Sequence, residues 1–280
     1  MAGDETREPM DLGRRGLLGA LALLGAAAAP SAEVRAEPVA PGAARLSFRG
    51  SPLNVVDLTH ELTPEFNFSP TRTRISMQAI EGSGAAVGMN LNLLYLVEHT
   101  GTHIDAPRHF ANDGASLGQI PIGDLVVPLV VLDVREKAAK DRNAQVTPDD
   151  IRDWERRHGR LPDGCCVAMR AGWDPLAERR RGATLPADAA RRSPGFGPEA
   201  AQMLISERSV KGIAVEAMSI DTGTNGPAYP VHQAWLRSGR WGIEGLTNLA
   251  GVPETGAILI VGAAPVHDAT GMPIRALALF

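Results

Sequence analysis

The stretch EHTGTHIDAPRHF, residues 98–110, carries four titratable side chains at odd-numbered positions, with no helical pattern: His99, His103, Asp105 and His109. In an extended strand, alternate side chains lie on one face, so His99, His103 and Asp105 should project to the same side if the segment stays extended. Two imidazoles and a carboxylate are suitable ligands for a divalent cation. The stretch therefore predicts a metal site.

The residues between these side chains support the same interpretation. Gly101 leaves space on the ligand face that a side chain would take from an ion, and Pro107 is expected to fix the chain as it leaves the strand. His109 follows this proline, and we expect it to act as a non-ligand base that takes a proton from water. The alternative is a set of ordinary turn histidines, but three of the seven histidines lie in this stretch.

Composition describes an ordinary globular protein. The chain has 280 residues, 44% of them hydrophobic, with a net charge of −4, which suits one large domain or two small ones. Nothing is basic enough to indicate a nucleic-acid partner. Cys165 and Cys166 are adjacent in a predicted buried strand, where neighbouring side chains point to opposite faces, so we expect two core residues without a disulfide between them.

Residues 1–36 predict an export signal. Arg14 and Arg15 precede an apolar run that is too short to span a bilayer, a pattern typical of a twin-arginine signal. Cleavage after Ala32 and cleavage after Ala36 remain alternatives. We therefore expect a periplasmic protein without stable membrane insertion after processing; an uncleaved anchor or a misassigned start is the competing interpretation.

The remaining chain predicts a linker over residues 37–52 and one domain over 53–280. Its patterns alternate between strands and helices, which indicates an α/β domain with a mixed sheet and flanking helices. Residues 174–197 form a long excursion rich in Arg, Pro, Ala and Gly. The predicted strands lie at residues 55–58, 72–80, 88–99, 124–134, 165–173, 211–221, 240–246, 256–266 and 273–280. The predicted helices lie at residues 147–159, 197–210 and 230–239.

The segment HTGTHIDAPRH follows the pattern H-x-G-T-H-x-D-x-P-x-H and resembles the metal-dependent cyclase-like hydrolases, a group that includes bacterial kynurenine formamidases and isatin hydrolases. The resemblance extends over roughly residues 53–280. It implies a swivelling β/β/α fold and a homodimer or homotetramer. It also implies hydrolysis of a C–N amide or lactam bond in a small, aromatic substrate, with Zn or Mn as the cofactor, in one or two ions.

The resemblance also implies roles for individual residues. His99, His103 and Asp105 correspond to metal ligands, and His109 corresponds to the proton shuttle. In the two-metal formamidases a later histidine and a glutamate twelve residues further on complete the site; they correspond to His232 and Glu244, for which the residues alone leave a structural salt bridge open.

Two departures bear on the substrate. Formamidases usually carry a tryptophan where this chain has Ser69, and compact formamidases lack the 174–197 excursion, so the resemblance favours the isatin-hydrolase side or a relative with another substrate. Four aromatic residues are candidates for substrate binding, with core packing as the alternative for each: Phe66, Phe68, Trp173 and Trp241. Hydrolysis of a lactone or ester at the same site, and a non-catalytic periplasmic metal- or ligand-binding protein, are the alternative functions.

Overall fold

A computed structural model describes six parts of the chain: residues 42–48, 51–63, 75–80, 84, 88–173 and 192–280. The predicted export signal, Phe66, Phe68 and residues 174–191 of the excursion lie outside these ranges. Within them, no helix combines the length and the apolar character that crossing a membrane requires.

The described ranges contain fourteen strands and four α-helices. The strands are β1 (Ala43–Phe48), β2 (Ser51–Asp57), β3 (Ser76–Ala79), β4 (Asn92–Tyr95), β5 (His103–Asp105), β6 (Val126–Asp133), β7 (Gln145–Val146), β8 (Cys166–Arg170), β9 (Gly195–Phe196), β10 (Gly212–Val215), β11 (Trp241–Glu244), β12 (Ala257–Gly262), β13 (Gly271–Pro273) and β14 (Arg275–Leu279). The helices are α1 (Arg135–Lys140), α2 (Pro148–His158), α3 (Pro198–Glu207) and α4 (Pro230–Arg237).

Ten of these strands form one mixed sheet in the order β1-β2-β14-β12-β6-β8-β10-β11-β5-β13. Its centre, β6-β8-β10-β11, is parallel, and the strands on both sides of that centre pair antiparallel. The helices α2, α3 and α4 contribute buried residues to the core on one face. This confirms the predicted α/β class with a mixed sheet and flanking helices.

The sheet begins earlier than the sequence predicted. β1 pairs antiparallel with β2, from Ala43 opposite Val56 to Phe48 opposite Ser51. Residues 43–48 therefore belong to the domain, and the predicted linker over 37–52 is too long at its C-terminal end. Residues 43–48 contain only two large apolar side chains, Leu46 and Phe48, so their pattern alone does not distinguish a strand from a linker.

Two hydrophobic cores lie on opposite faces of the sheet. Successive residues of β8, and Cys165 just before it, alternate between these two cores. Cys166 and Ala168 lie in one core, which we call the strand-side core. Cys165 and Val167 lie in the other, the helix-side core, which receives the buried residues of the helices. The two cysteines are free and buried, on opposite faces as predicted, and burial raises the pKa of the Cys165 thiol to about 12.

The predicted start of α2 is confirmed in detail. The Thr147 hydroxyl accepts the Asp150 backbone N–H at 3.4 Å, while the Asp150 carboxylate accepts the Thr147 N–H at 2.7 Å. Pro148 occupies the first turn, where no hydrogen bond is lost. This cap contributes about 1 kcal/mol and directs Ile151 and Trp154 into the helix-side core.

Candidate metal centre

The histidine-rich stretch is not one strand. β4 ends at Tyr95, residues 96–102 bend, and β5 covers only His103–Asp105. Gly101 has a φ of 70°, a left-handed conformation that glycine adopts without steric cost. The prediction that His99 shares a strand face with His103 is therefore wrong: His99 reaches the site from the bend. Gly101 serves the turn, and its carbonyl accepts a hydrogen bond from His103 Nδ1 at 2.9 Å.

Strand register brings the carboxylates to His103. In the β5–β11 pair, His103 lies opposite Glu244 and Asp105 lies opposite Gly242. The three ionisable side chains therefore share one face, while Ile104, between His103 and Asp105, packs into the strand-side core. His103 Nε2 is 3.4 Å from Asp105 Oδ1 and 3.4 Å from Glu244 Oε2.

His232 enters the cluster from the first turn of α4. Its Nε2 lies 3.0 Å from Glu244 Oε1 and 3.5 Å from Asp105 Oδ2. Its other ring nitrogen, Nδ1, is 2.7 Å from Asp221 Oδ2, and the same oxygen accepts the His232 backbone N–H at 3.0 Å. Asp221 thus holds the start of the helix and orients the imidazole, an arrangement common around metal-ligating histidines.

His99 contacts the same carboxylate oxygen of Asp105 as His103 does. Its Nδ1 is 2.7 Å from Asp105 Oδ1, and its Nε2 is 3.0 Å from Thr270 Oγ1. Gly271 makes room for the ring, because a Cβ at that position would lie 2.5 Å from His99 Cε1. A side chain at residue 271 would therefore displace the imidazole.

His109 lies at the end of a short 3-10 helix, Pro107–His109, that turns the chain as it leaves β5. Its ring stacks on the ring of His99, with 3.9 Å between centroids and 28° between planes. The side chain is half-buried, and burial lowers the pKa of His109 to about 4. The structure thus places a neutral imidazole beside the ligand cluster.

Two buried atoms of the cluster lack hydrogen-bond partners among the described residues: His103 Nε2 and Asp105 Oδ2. Buried polar groups normally find a partner, and buried charges are paired or coordinate metals. Nitrogen and carboxylate-oxygen donors turned toward one point fit a divalent cation. Two overlapping groups share Asp105 and have ligand atoms close enough for an ion: His99–Asp105–His109 and His103–Asp105–Glu244.

The carboxylates dominate the electrostatics of the cluster. Burial disfavours the charged form of His103, but Asp105 and Glu244 outweigh it and raise the pKa to about 10. Burial likewise opposes the charged form of His232, but its acidic neighbours raise its pKa well above the usual range. Burial and Asp105 raise the pKa of Glu244, yet the two histidines outweigh them and lower it to about 2. The cluster therefore attracts positive charge, which a cation or protons can supply.

The substrate-binding prediction for Trp241 is wrong. Trp241 and Ile243 alternate with Gly242 and Glu244 on β11, so the indole points away from Glu244 into the strand-side core and is only 2% exposed. There it packs over Gly212, where a Cβ would lie 2.2 Å from the ring. Residues three apart on a strand face opposite sides, so the sequence already contained this signal.

Trp173 also has a packing role. It is half-buried against the helix-side core, and the Arg142 guanidinium lies 5.2 Å from its ring centroid. Aromatic side chains that the sequence analysis missed lie closer to the site. The Phe110 ring is 4.8 Å from His109 and 4.9 Å from His232, and the Tyr229 ring is 5.6 Å from His232.

The structure thus brings all six predicted ligand and shuttle residues into one cluster: His99, His103, Asp105, His109, His232 and Glu244. The fold and this cluster define an α/β protein with a buried histidine–carboxylate site. The family model described as putative cyclase matches residues 56–222, and the chain belongs to that family.

The relatives agree with this assignment. The chain is 35% identical over 196 residues to an isatin hydrolase of Roseibium aggregatum, covering 67% of this chain and 74% of the relative. It is 28% identical over 189 residues to a kynurenine formamidase of Salinibacter ruber, covering 68% and 79%. Among solved structures, isatin hydrolase A from Labrenzia aggregata bound to benzyl benzoate superposes with a TM-score of 0.72 at 32% identity, covering 81% of this chain and 93% of that chain. These likenesses confirm the family and fold expected from the sequence resemblance.

Proposed function

We propose that this chain is a metal-dependent hydrolase of a C–N bond in a small amide or lactam. One observation carries the proposal: a buried histidine–carboxylate cluster lies beside the half-buried His109, and two of its inward-facing atoms, His103 Nε2 and Asp105 Oδ2, have no hydrogen-bond partner among the described residues. The relatives named isatin hydrolase and kynurenine formamidase support the class of bond.

The proposed ligands are the five inward-facing side chains His99, His103, Asp105, His232 and Glu244. Imidazole and carboxylate donors suit both Zn and Mn, and we propose one or two ions held by these five side chains. When bound, the cation supplies Lewis-acid polarisation of the substrate carbonyl and lowers the pKa of water.

His109 is the proposed proton shuttle. Its stacking on His99 holds the imidazole at the edge of the ligand cluster, and its partial exposure leaves it open to substrate. It accepts a proton from the attacking water and delivers a proton to the leaving nitrogen as the C–N bond breaks. The products are a carboxylate and an amine, so the atoms of one water molecule are added across the bond.

Two aromatic side chains beside the site, Phe110 and Tyr229, support the proposal of an aromatic substrate. Phe110 and Tyr229 meet edge to face, with 6.2 Å between centroids, and both lie next to His232. Tyr229 remains 39% exposed, so its ring is open to a ligand. Edge or stacked contacts with a substrate ring would fix its orientation beside the ligand cluster.

A hydrolysis assay with and without a chelator tests the proposal. The metal-replete protein should hydrolyse isatin, a lactam, or N-formylkynurenine, a formamide, and should lose this activity after chelation and regain it with Zn²⁺ or Mn²⁺. Hydrolysis of aryl esters or lactones alone would favour the alternative bond class. A retained ion without hydrolysis of any of these compounds would favour a binding protein.

We also propose that the chain self-associates as a homodimer or homotetramer through the β3–β4 hairpin. The described residues of this hairpin, 75–80 and 88–95, carry no charge. One face of it presents large apolar side chains that are all at least 41% exposed: Ile80, Met89, Leu91, Leu93 and Tyr95. An exposed apolar surface of this kind marks an interaction site. The same surface of a second copy can pack against it in an isologous contact, in which both subunits use the same residues.

Light scattering after gel filtration measures this association. The double variant Leu91→Asn, Leu93→Asn should run at a lower mass than the wild type, because polar side chains weaken the apolar contact. Asn92 lies on the opposite face of β4, and Asn90 lies just before that strand. The matched control Asn90→Ser, Asn92→Ser should therefore keep the wild-type mass. A monomeric wild type, or an unchanged mass in the leucine variant, would contradict the proposed contact.

Export by the twin-arginine route, with a periplasmic mature protein, is the proposed localisation, supported by Arg14, Arg15 and the short apolar run that follows them. A fusion of residues 1–40 to a reporter should reach the periplasm only with the arginine pair intact. Export that persists after both arginines are changed to lysine would point to the general secretory route.

A further inference from the structure

The outward-facing nitrogen of His99 is held by a chain of two side chains. Thr270 Oγ1 lies 3.0 Å from His99 Nε2 and also hydrogen-bonds the carboxylate of Glu98. The same carboxylate accepts the Thr270 backbone N–H at 3.3 Å. Glu98, Thr270 and His99 thus form one continuous hydrogen-bonded series that ends at the ligand cluster.

The direction of this series follows from the chemistry of its members. Glu98 Oε2 accepts the Thr270 backbone N–H and also the Thr270 hydroxyl, which has a single proton to donate. The hydroxyl oxygen must then accept from His99, which requires the proton on Nε2. The remaining ring nitrogen, Nδ1, faces Asp105 Oδ1 at 2.7 Å.

We propose that Glu98 and Thr270 are positioning residues that fix the tautomer of His99, so that Nδ1 is its metal-ligating nitrogen. This inference rests on the proposed metal site. It sets His99 apart from the other two histidine ligands, whose Nδ1 atoms are held outward by the Gly101 carbonyl and by Asp221 and whose Nε2 atoms face inward.

The backbone around Thr270 is built to hold this arrangement. The Thr270 carbonyl accepts the Ala106 N–H at 2.8 Å, directly beyond the end of β5. The next residue, Gly271, pairs with Asp105 and leaves the space that the His99 ring occupies. Thr270 therefore determines which nitrogen of the His99 imidazole carries the proton, and Gly271 leaves the space that the same ring occupies. Outer partners of this kind typically change metal affinity by about 10–100-fold.

The first test measures the apparent Kd for Zn²⁺ by competition with a chromophoric chelator. Thr270→Val removes the hydroxyl at nearly constant volume and should weaken Zn²⁺ binding by about 10–100-fold, while Thr270→Ser should retain wild-type affinity. Glu98→Gln should also weaken binding, whereas the charge-matched control Glu199→Gln, at an exposed position of α3, should not. Circular dichroism of the metal-free variants establishes that each is folded.

The second test reads the tautomer itself. Two-bond ¹H–¹⁵N correlation spectra of the Zn²⁺-loaded protein distinguish a ligating Nδ1 from a ligating Nε2. We expect His99 to show a protonated Nε2 and to lose this pattern in Thr270→Val. Ligation of His99 through Nε2 in the wild type would overturn the inference.

The outcomes separate this inference from the proposed function. If His103→Ala loses Zn²⁺ while Thr270→Val binds it as tightly as the wild type, the positioning role is wrong and the metal site stands. If wild-type protein binds no Zn²⁺ or Mn²⁺, both proposals are wrong. If Thr270→Val binds Zn²⁺ more weakly than the wild type and Thr270→Ser does not, the loss of affinity is due to the missing hydroxyl.

Discussion

His103→Ala is expected to lose most of the bound divalent ion and, with it, all measurable hydrolysis. His103 is buried at 1% exposure, its Nδ1 is occupied by the Gly101 carbonyl, and its Nε2 points at both Asp105 and Glu244. Removing the imidazole takes one shared nitrogen away from the two buried carboxylates and leaves His232 Nε2 as the nitrogen that still contacts both. Because even partners outside the ligand set change affinity by about 10–100-fold, loss of a ligand should exceed that range.

Elemental analysis of purified wild-type and variant protein measures the effect. His267→Ala is the matched control, because the same substitution is made at a side chain that is 94% exposed and contacts Asp268 at 3.4 Å. That variant should keep its metal content and activity. Equal metal in the wild type and in His103→Ala would refute the ligand assignment.

His109→Ala is expected to keep its metal and fold while losing turnover. The His109 ring stacks on His99 at the half-buried edge of the cluster, so removing it leaves the five proposed ligands with their mutual contacts. A positioned general base contributes about 10²–10⁴-fold, so kcat should fall by that factor. If kcat falls while KM is unchanged, kcat/KM falls by the same factor. This result is typical of an interaction made only in the transition state.

Metal content and hydrolysis rate together decide the role of His109. The ligand atom of His109 lies near those of His99 and Asp105, so direct coordination is the competing role. If His109→Ala sheds its ion as His103→Ala does, His109 is a ligand. If it stays metal-loaded and fully active, another group, with Glu244 the first to examine, is the base.

The chemistry proposed for the site was predictable because three of the five proposed ligands lie in one short stretch. His103 and Asp105 alternate on a real strand, and the proline after them does turn the chain toward His109. The position of His99 was not predictable by alternation, because the chain bends over residues 96–102 and Gly101 within that bend adopts a left-handed conformation. Local periodicity identifies side chains that share a face only while the backbone remains regular.

Aromatic residues show a second limit. A tryptophan is compatible with a pocket or with a core, and the choice for Trp241 followed from strand parity once Glu244 was placed at the site. Phe110 was the better candidate from position alone, since it follows His109 directly. Tyr229 lies just before α4 and approaches His232 from that position.

By itself, the sequence determined the family, the α/β class and the residue types that assemble at the site, because these depend on short-range patterns and a motif of eleven residues. Tertiary structure alone decided how those residues meet. The β5–β11 register sets Glu244 opposite His103 across 141 positions of chain, and Thr270 reaches His99 across 171. Such contacts depend on strand pairing between distant segments, and neither residue spacing nor periodicity along the chain contains that information.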